Sequence, residues 1–474
     1  MIRSISWKNI WRNKNRSFVV VIAVTLGIIS GILLLGIMKG WVEQRIHDAI
    51  YNEVSHVQIH SKEYLKNEEA DFVVKNKDEV IKAIGSLPGI TGWAKRTKMI
   101  AMANTSWGNT GVSIYGVEPE KERRITEIWK KVIPGAGEYL DESVPGTILI
   151  SDKTAEVLKL KQYIITEEVL SSLRAEKVPD YVLLKIDTLK DIRFRSPKDF
   201  RDALRSELKK KELDNYGNII IGKALDYRIR NKVQITISDE TGTPVQGTFR
   251  VCGIYKTTNT GFDQTAAFVK ADELAKLYDG KDVLTHEIAI LLNDIENADN
   301  VRKTLSAVSP ENEVNTWKEL APDAAFMNDY MVMYYIIFIG IIMLALAFGI
   351  INTMLMTILE RTKELGMLMA IGMNRRKVFS MIMLETIFLT IVGAIAGMLS
   401  GWLIIELLGK TGIHFSSWGE GFEDWGFAAV VYPVITPDFF FIITVMVIVT
   451  AIISSIWPAR KALKLNTVET LRTE

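Results

Sequence analysis

Few side chains in this sequence are spaced for chemistry. His56, Gln58 and His60 alternate within the run VSHVQIH, which places all three on one strand face, a spacing that suits metal binding. No cysteine or acidic residue beside them completes a ligand set, so no metal is expected there. Gly409-Lys410-Thr411 looks like the end of a phosphate-binding loop, but the leading glycine of that motif would fall at Ile404, inside an apolar run. His47, His286 and His414 are scattered, and no Ser-His-Asp or paired-carboxylate arrangement follows from spacing. The residues thus predict no catalytic group, no metal and no cofactor. Cys252, the sole cysteine, cannot form an internal disulfide and reads as a small buried apolar residue. Glu385 differs from these, because it is the ionisable group lying well inside a long apolar run. A carboxylate there is costly and by default a functional candidate. It sits about two turns from the end of its run, where Arg375 or Arg376 is in reach, and an ion pair or hydrogen bond is expected rather than a proton relay.

The elements around these residues are set by four apolar blocks. Phe18–Met38 carries no charge, and at ~1.5 Å per residue it spans the ~30 Å hydrocarbon layer. Met331–Leu359 is uncharged and long enough to protrude as a stalk, Phe379–Ile405 contains only Glu385, and Phe439–Trp457 is again uncharged. These predict membrane spans over 18–39, 330–359, 379–408 and 437–458. The first block exceeds a signal-peptide core and lacks a small-residue cleavage pattern, so it is expected to remain as an anchor. A net charge of +1 argues against a nucleic-acid partner. Basic residues cluster before the first span (Arg3, Lys8, Arg12, Lys14, Arg16), in the 360–378 connection and in the 459–474 tail, whereas the 409–436 loop has Lys410 against Glu420, Glu423 and Asp424. The positive-inside rule then places both termini and 360–378 in the cytoplasm and 40–329 outside.

Residues 1–17 read either as an amphipathic helix on the inner membrane surface or as a topology signal with no stable helix. The 40–329 segment reads as mixed α and β. Strands are expected at Val54–His60, Thr110–Val117, Gly146–Ser151, Asn218–Gly222, Val233–Ser238, Gly247–Tyr255, Thr265–Val269 and Ile288–Leu292, and helices at Lys77–Leu87 and Ala298–Val308. Glu240–Pro244 suits a hairpin turn. The last strand and helix are expected to return beside the first pair, giving one subdomain from both ends of the segment and one from its middle. The charged stretch 159–211 is expected to be an insertion with amphipathic helices, such as Ser196–Leu213 with Phe200, Ala203, Leu204 and Leu208 on one face.

Two further patterns sit in the spans. Gly393, Gly397 and Gly401 recur every fourth residue, and Gly27 and Gly31 do likewise, each pattern making a groove for close approach of a helix of the same chain or of a second copy. Residues 360–372, Glu-Arg-Thr-Lys-Glu-Leu-Gly-Met-Leu-Met-Ala-Ile-Gly, form a short charged segment between two spans. A compact helix there suits docking onto a soluble partner that supplies force.

Taken together, the chain resembles the permease superfamily of MacB, FtsX and LolC/LolE, membrane subunits of ABC transporters. Residues 360–372 are similar to that family's ERxxEIGxxxAxG signature. Pro458-Ala-Arg-Lys-Ala462 followed by Leu465–Arg472 is similar to its PARRA…LDPxEALR ending, with Asn466-Thr467 where Asp-Pro is usual. SHVQIH and the runs Ile219–Lys223 and Phe249–Tyr255 resemble its external core, although the usual Gly-Asp before the strand at Val233 is missing and 159–211 has no clear counterpart. The resemblance implies an α-helical membrane protein with four transmembrane helices and a large α+β extracytoplasmic domain between the first two, the type VII mechanotransmission architecture of the bacterial inner membrane. It implies a coupling helix in which Glu360, Arg361, Glu364, Leu365, Gly366, Ala370 and Gly372 dock a cytoplasmic ATPase dimer that binds ATP and Mg, with Glu364 making the foremost charged contact. It also implies a second permease copy or a paralogue. MacB carries its ATPase before the first span, where only 17 residues stand here, and FtsX has a much smaller external domain, so the LolC/LolE branch fits best. Lipoprotein release, with a periplasmic chaperone or adaptor, is then the expected function. MacB-like export of peptides, antibiotics or lipids, or FtsX-like signalling to a cell-wall hydrolase, are the alternatives.

Overall fold

The computed structural model describes residues 6–7, 14–239, 242–278, 283–415, 428 and 430–463. Among them, four helices are long and apolar enough to cross a membrane: Lys14–Asp48, Pro322–Glu360, Arg375–Thr411 and Pro437–Ala462. Each outruns the apolar block that announces it, because polar residues at the ends continue the helix beyond the hydrocarbon-length core. The chain divides into two units. One is helical and contains residues 1–44, 326–419 and 428–474; the other is built chiefly from residues 45–325.

In the helical unit, the first span is central. Its Val24, Ile28, Ile32 and Leu35 are at most 2% exposed, at the four- and three-residue spacing of one helix face. The second span buries Tyr335, Ile339, Met343, Leu346, Ile350, Met354 and Ile358 into the same core, while its other face presents Ile336, Ile341, Leu344 and Phe348. Of the expected 1–17 helix, residues 1–5 and 8–13 lie outside the described residues. Ser6 is buried and donates to the Met381 carbonyl at 3.3 Å, and Trp7 packs edge-on against Phe388. Ser6 and Trp7 therefore pack on the third span. The tail motif from Leu465 to Arg472 and residues 416–427 and 429 of the 409–436 loop also fall outside the described residues.

The second unit is mixed α and β. Its strands are β1 (Val57–Ser61), β2 (Ile90–Asn104), β3 (Asn109–Val117), β4 (Val132–Gly137), β5 (Thr147–Ser151), β6 (Lys161–Tyr163), β7 (Leu225–Tyr227), β8 (Lys232–Ser238), β9 (Pro244–Tyr255), β10 (Ala266–Lys270), β11 (Glu287–Leu292) and β12 (Asn312–Thr316). The pairings β2–β3, β3–β10, β10–β5, β5–β9, β9–β8 and β8–β2 close a ring. Inward residues such as Met99, Ala101, Ile114, Ile150, Ile235, Val251 and Val269 fill it, and closure removes the exposed edges that an open sheet would carry. The near half of β2 instead joins β11, β1 and β12 in an antiparallel sheet, with Glu287↔Arg96, Gln58↔Ala289 and Gln58↔Asn315 in register. Helices Lys77–Ser86 and Ala298–Val308 pack their apolar faces on it. β2 is thus shared by the ring and the open sheet.

Several sequence expectations shift. Strands at β3, β5 and β8–β11 stand within a few residues of their expected bounds, but Val54 belongs to a π-helical segment, Ala49–Val54, and β1 begins at Val57. Asn218–Gly222 is helical, not a strand. It completes the helix Lys210–Ala224, in which Gly217, Ile220 and Ala224 are the buried positions at helical spacing. The expected helix Ser196–Leu213 is two helices, Pro197–Glu207 and Lys210–Ala224, because Leu208 is extended (φ −106°, ψ 141°) and Glu212 caps the second at Lys209. The 159–211 insertion accordingly closes later, where β6 pairs with β7 around a core from Tyr163 to Leu225. β8 and β9 pair up to Ser238↔Pro244 across the expected turn, of which Glu240 and Thr241 lie outside the described residues.

One buried ion cluster fixes β2. The Arg96 side chain is 2% exposed and donates to Glu122 at 2.7 Å and to Glu287 at 2.5 Å, both carboxylates being equally shielded. Burial alone would lower the guanidinium pKa, but the Glu122 and Glu287 charges more than offset it, so Arg96 stays charged. Gln58 donates to the same Glu287 carboxylate at 2.9 Å, tying β1 into the cluster. Arg96→Met leaves two buried carboxylates without their cation and should cost about 3–5 kcal/mol in chemical denaturation of the full chain in detergent. A loss near the roughly 0–1 kcal/mol of a surface pair would contradict this account.

Candidate functional site

The connection between the second and third spans is built by residue types that leave little choice. Helix Pro322–Glu360 breaks at Arg361 (φ −97°, ψ 16°), and a nine-residue helix, Thr362–Ala370, follows. Gly372 ends it with φ +98°, a conformation that glycine adopts freely, while the Met373 amide returns to the Leu368 carbonyl at 3.0 Å. Asn374 then caps the third span, its side chain accepting from the Arg376 amide at 3.1 Å. The expected 360–378 coupling helix is therefore a shorter helix and a turn, with Arg375–Val378 already the first turn of the next span.

Arg361 decides how this elbow is held. Its Nη1 donates to Oε2 of Glu385 at 2.8 Å and its Nε to Oε2 of Glu364 at 3.1 Å. The Arg361 and Glu385 side chains are 12% and 11% exposed. The carboxylate inside the third span thus has an ion-pair partner, but it is Arg361 and not Arg375 or Arg376, both of which are exposed. Leu365 is 2% exposed in the span core and Gly366 is buried beside it. Of the expected docking residues, then, Arg361, Leu365 and Gly366 face inward, and Glu364 lies at the boundary, engaged by Arg361. Glu360, Ala370 and Gly372 face outward, together with Lys363, Met367 and Ile371, which the motif did not single out. Met367 and Ile371, one turn apart, are 54% and 79% exposed. Apolar residues at an i, i+4 spacing beside a charged stretch were the available signal for this face.

The glycine grooves are occupied within the chain. A Cβ on Gly393 or Gly397 would come within 2.9 Å of Val24 or Ile28, and one on Gly401 within 2.6 Å of Ile32. The first span therefore fills the groove of the third, and Thr25 Oγ1 donates to the Gly393 carbonyl at 3.1 Å. Gly27 faces Leu346 of the second span and Gly31 faces Ile443 of the fourth. Of the two alternatives for these glycines, helices of the same chain occupy them here.

The His56, Gln58 and His60 face is likewise committed to structure. His56 Nδ1 accepts from the Leu292 amide at 3.1 Å, and burial pushes that imidazole down to about 4. His60 Nε2 meets Gln58 Oε1 at 2.8 Å, and Gln58 Nε2 continues the relay to Glu287. Among the described residues, no group of His, Cys, Asp and Glu side chains could hold a metal ion. Cys252 is partly buried, its thiol pushed up to about 12 by burial.

Against known families, residues 336–467 match the model described as FtsX-like permease C-terminal, a stretch that includes the whole elbow. Over that stretch the chain is similar to the C-terminal domain of FtsX-like permeases. With its four apolar helices it is a multi-pass membrane protein. It is 26% identical over 232 residues to an uncharacterized ABC transporter permease of Methanocaldococcus jannaschii, covering 48% of this chain and 55% of that one. It is 25% identical over 273 residues to the ABC transporter permease YtrF of Bacillus subtilis, covering 56% of this chain and 61% of that one. It is 34% identical over 126 residues to the macrolide export ATP-binding/permease protein MacB of Chlorobium luteolum, covering 27% of this chain and 16% of that one. The chain thus spans less than two thirds of each of these relatives. These three relatives are named as ABC transporter permeases or as an ATP-binding/permease protein, and none of them carries a LolC or LolE name.

Arg361→Met takes from Glu385 the guanidinium that pairs with it at 2.8 Å and should cost about 3–5 kcal/mol in thermal unfolding in detergent. The double variant Arg361→Met/Glu385→Met should recover most of that loss. Strictly additive losses would show that the pair is not coupled.

Proposed function

We propose that this chain is the membrane-spanning subunit of an ABC transporter that transmits force and does not hydrolyse nucleotide itself. A separate cytoplasmic ATPase dimer, binding ATP and Mg, seats on the outward face of the elbow helix. Its closure moves the helices that lead from the spans, and the domain of residues 45–325 acts on a substrate beyond the membrane. The reading rests on one observation: the elbow helix is anchored from inside by Arg361 and Leu365 while Met367 and Ile371 stand clear of the protein. A helix so exposed, with charges at its start, offers a soluble partner an apolar anchor and a polar rim. The basic residues at the termini and in the elbow favour a cytoplasmic location for all three, in the inner membrane of a bacterium.

For the substrate, we propose lipoprotein release from the outer leaflet in the manner of the LolC/LolE branch, assisted by a chaperone or adaptor and by a second permease copy or paralogue. A second reading, MacB-like export of peptides, antibiotics or lipids, is favoured by the similarity to the Chlorobium MacB, whose name assigns it macrolide export. Copurification of a bound lipoprotein supports the first reading, and copurification of a cell-wall hydrolase would favour FtsX-like signalling.

The test is to purify the full chain from native membranes with Met367 and Ile371 both changed to Glu. The variant should insert normally and lose its copurifying ATPase by about tenfold or more, as expected when a central apolar anchor is removed. Undiminished ATPase recovery would overturn the docking face.

A further inference from the structure

Away from the elbow, Arg45 lies where three separate stretches of chain meet, two of them bonded to it directly. It lies in the last turn of the helix Lys14–Asp48, its side chain 2% exposed. Nη1 donates to Oε1 of Glu53 at 2.8 Å, and Nε and Nη2 both reach Oδ2 of Asp323 at 3.1 and 2.7 Å. Asp323 belongs to the first turn of the helix Pro322–Glu360, so one guanidinium joins the end of one membrane-crossing helix to the start of the next. The third stretch enters through Asn259, whose Nδ2 donates to Oε1 of Glu53 at 3.0 Å. Asn259 also caps the short helix Thr260–Thr265, within the connection from β9 to β10, two strands of the closed ring.

A second set of bonds pins the same connection to the same helix end. Thr258 donates to Asp48 at 2.6 Å, and Lys131 and Asn52 reach the other oxygen of that carboxylate at 3.4 and 2.8 Å. The connection is stiff within itself, since Asp263 accepts from both the amide and the hydroxyl of Thr257. Displacement of the helix end therefore has a short polar route into the ring. A guanidinium suits the junction because its planar fork can serve two carboxylates at once, which an ammonium on a single stem does less well.

We propose that Arg45 is the positioning residue that makes both membrane-crossing helices and the 257–263 connection move as one body. Motion arriving along either helix then reaches the ring through Glu53 and Asn259. The inference rests on the force-transmission reading above, and its test separates the two.

The test is amide hydrogen exchange on the full chain in lipid vesicles, alone and together with the ATPase that copurifies with it. Arg45→Met should accelerate exchange at 49–54, 257–263 and 322–325 together by about tenfold or more while β1 and β3 keep their protection. Asp323→Asn should release only 322–325, and Asn259→Ala only 257–263. These two variants decide the matter if Arg45→Met unfolds the unit as a whole. With ATP, wild type should change its exchange at 257–263, and Arg45→Met should lose that response while the copurifying ATPase hydrolyses ATP at an unaltered rate. Wild-type protection at 257–263 in Arg45→Met, or a surviving ATP response there, overturns the clamp. If wild type shows no ATP response anywhere in residues 45–325, the transmission reading fails, and the static exchange still decides whether Arg45 is the junction.

Discussion

An ionised carboxylate cannot rest in hydrocarbon without a partner, and in this chain that requirement organises the elbow. Glu385 lies on the third span and its cation, Arg361, lies at the end of the second, so the ion pair sets how closely two spans and the short helix between them approach. The arginine fork then takes Glu364 with its other edge, and Leu365 drops into the apolar core beneath. Once these inward groups are fixed, the residues at the remaining helical positions have no choice but to face away. The exposure of Met367 and Ile371 is thus a consequence of the buried pair.

Two further constraints extend this logic. In the spans, glycine at every fourth position lets the first and third helices approach at backbone distance, so dispersion contacts and a Thr25 hydroxyl replace the hydrophobic drive that lipid cannot supply. In the sheet unit, closure of six strands into a ring leaves few unpaired edges, and Arg96 with its two carboxylates clasps the strand shared between the ring and the open sheet. Each device is local and built from buried side chains of its own unit.

Much of this was legible in the residues, for physical reasons that also explain the failures. The four spans were plain because a bilayer demands long uncharged runs, whereas the turn at Gly372 and Asn374 lay hidden in a connection expected to be helical through 378. Strands with alternating apolar residues, such as Thr110–Val117 and Val233–Ser238, could be read almost to their ends. β2 could not, because Arg96 occupies one of its buried positions and lysines flank it, so the run Ile90–Asn104 looks solvated. β12 was hidden in the same way by the buried Asn312 and Asn315. The short apolar run Ile219–Ile221 suits either a strand or a helix, and only its packing within the 161–227 core decides for the helix. The family motif drew attention to 360–372, but not to the inward direction of Arg361 and Leu365, since a motif carries no direction.

The account stands on the claim that the outward face of the elbow helix is the seat of a separate motor. Its most direct measurement is site-specific photo-cross-linking from Ile371 in native membranes, with the adduct identified by mass spectrometry. The account predicts a single dominant adduct with a soluble protein bearing a phosphate-binding loop, lost when the label is moved to buried Leu365. Adducts with lipid alone, or with a protein that carries no nucleotide-binding motif, would contradict it.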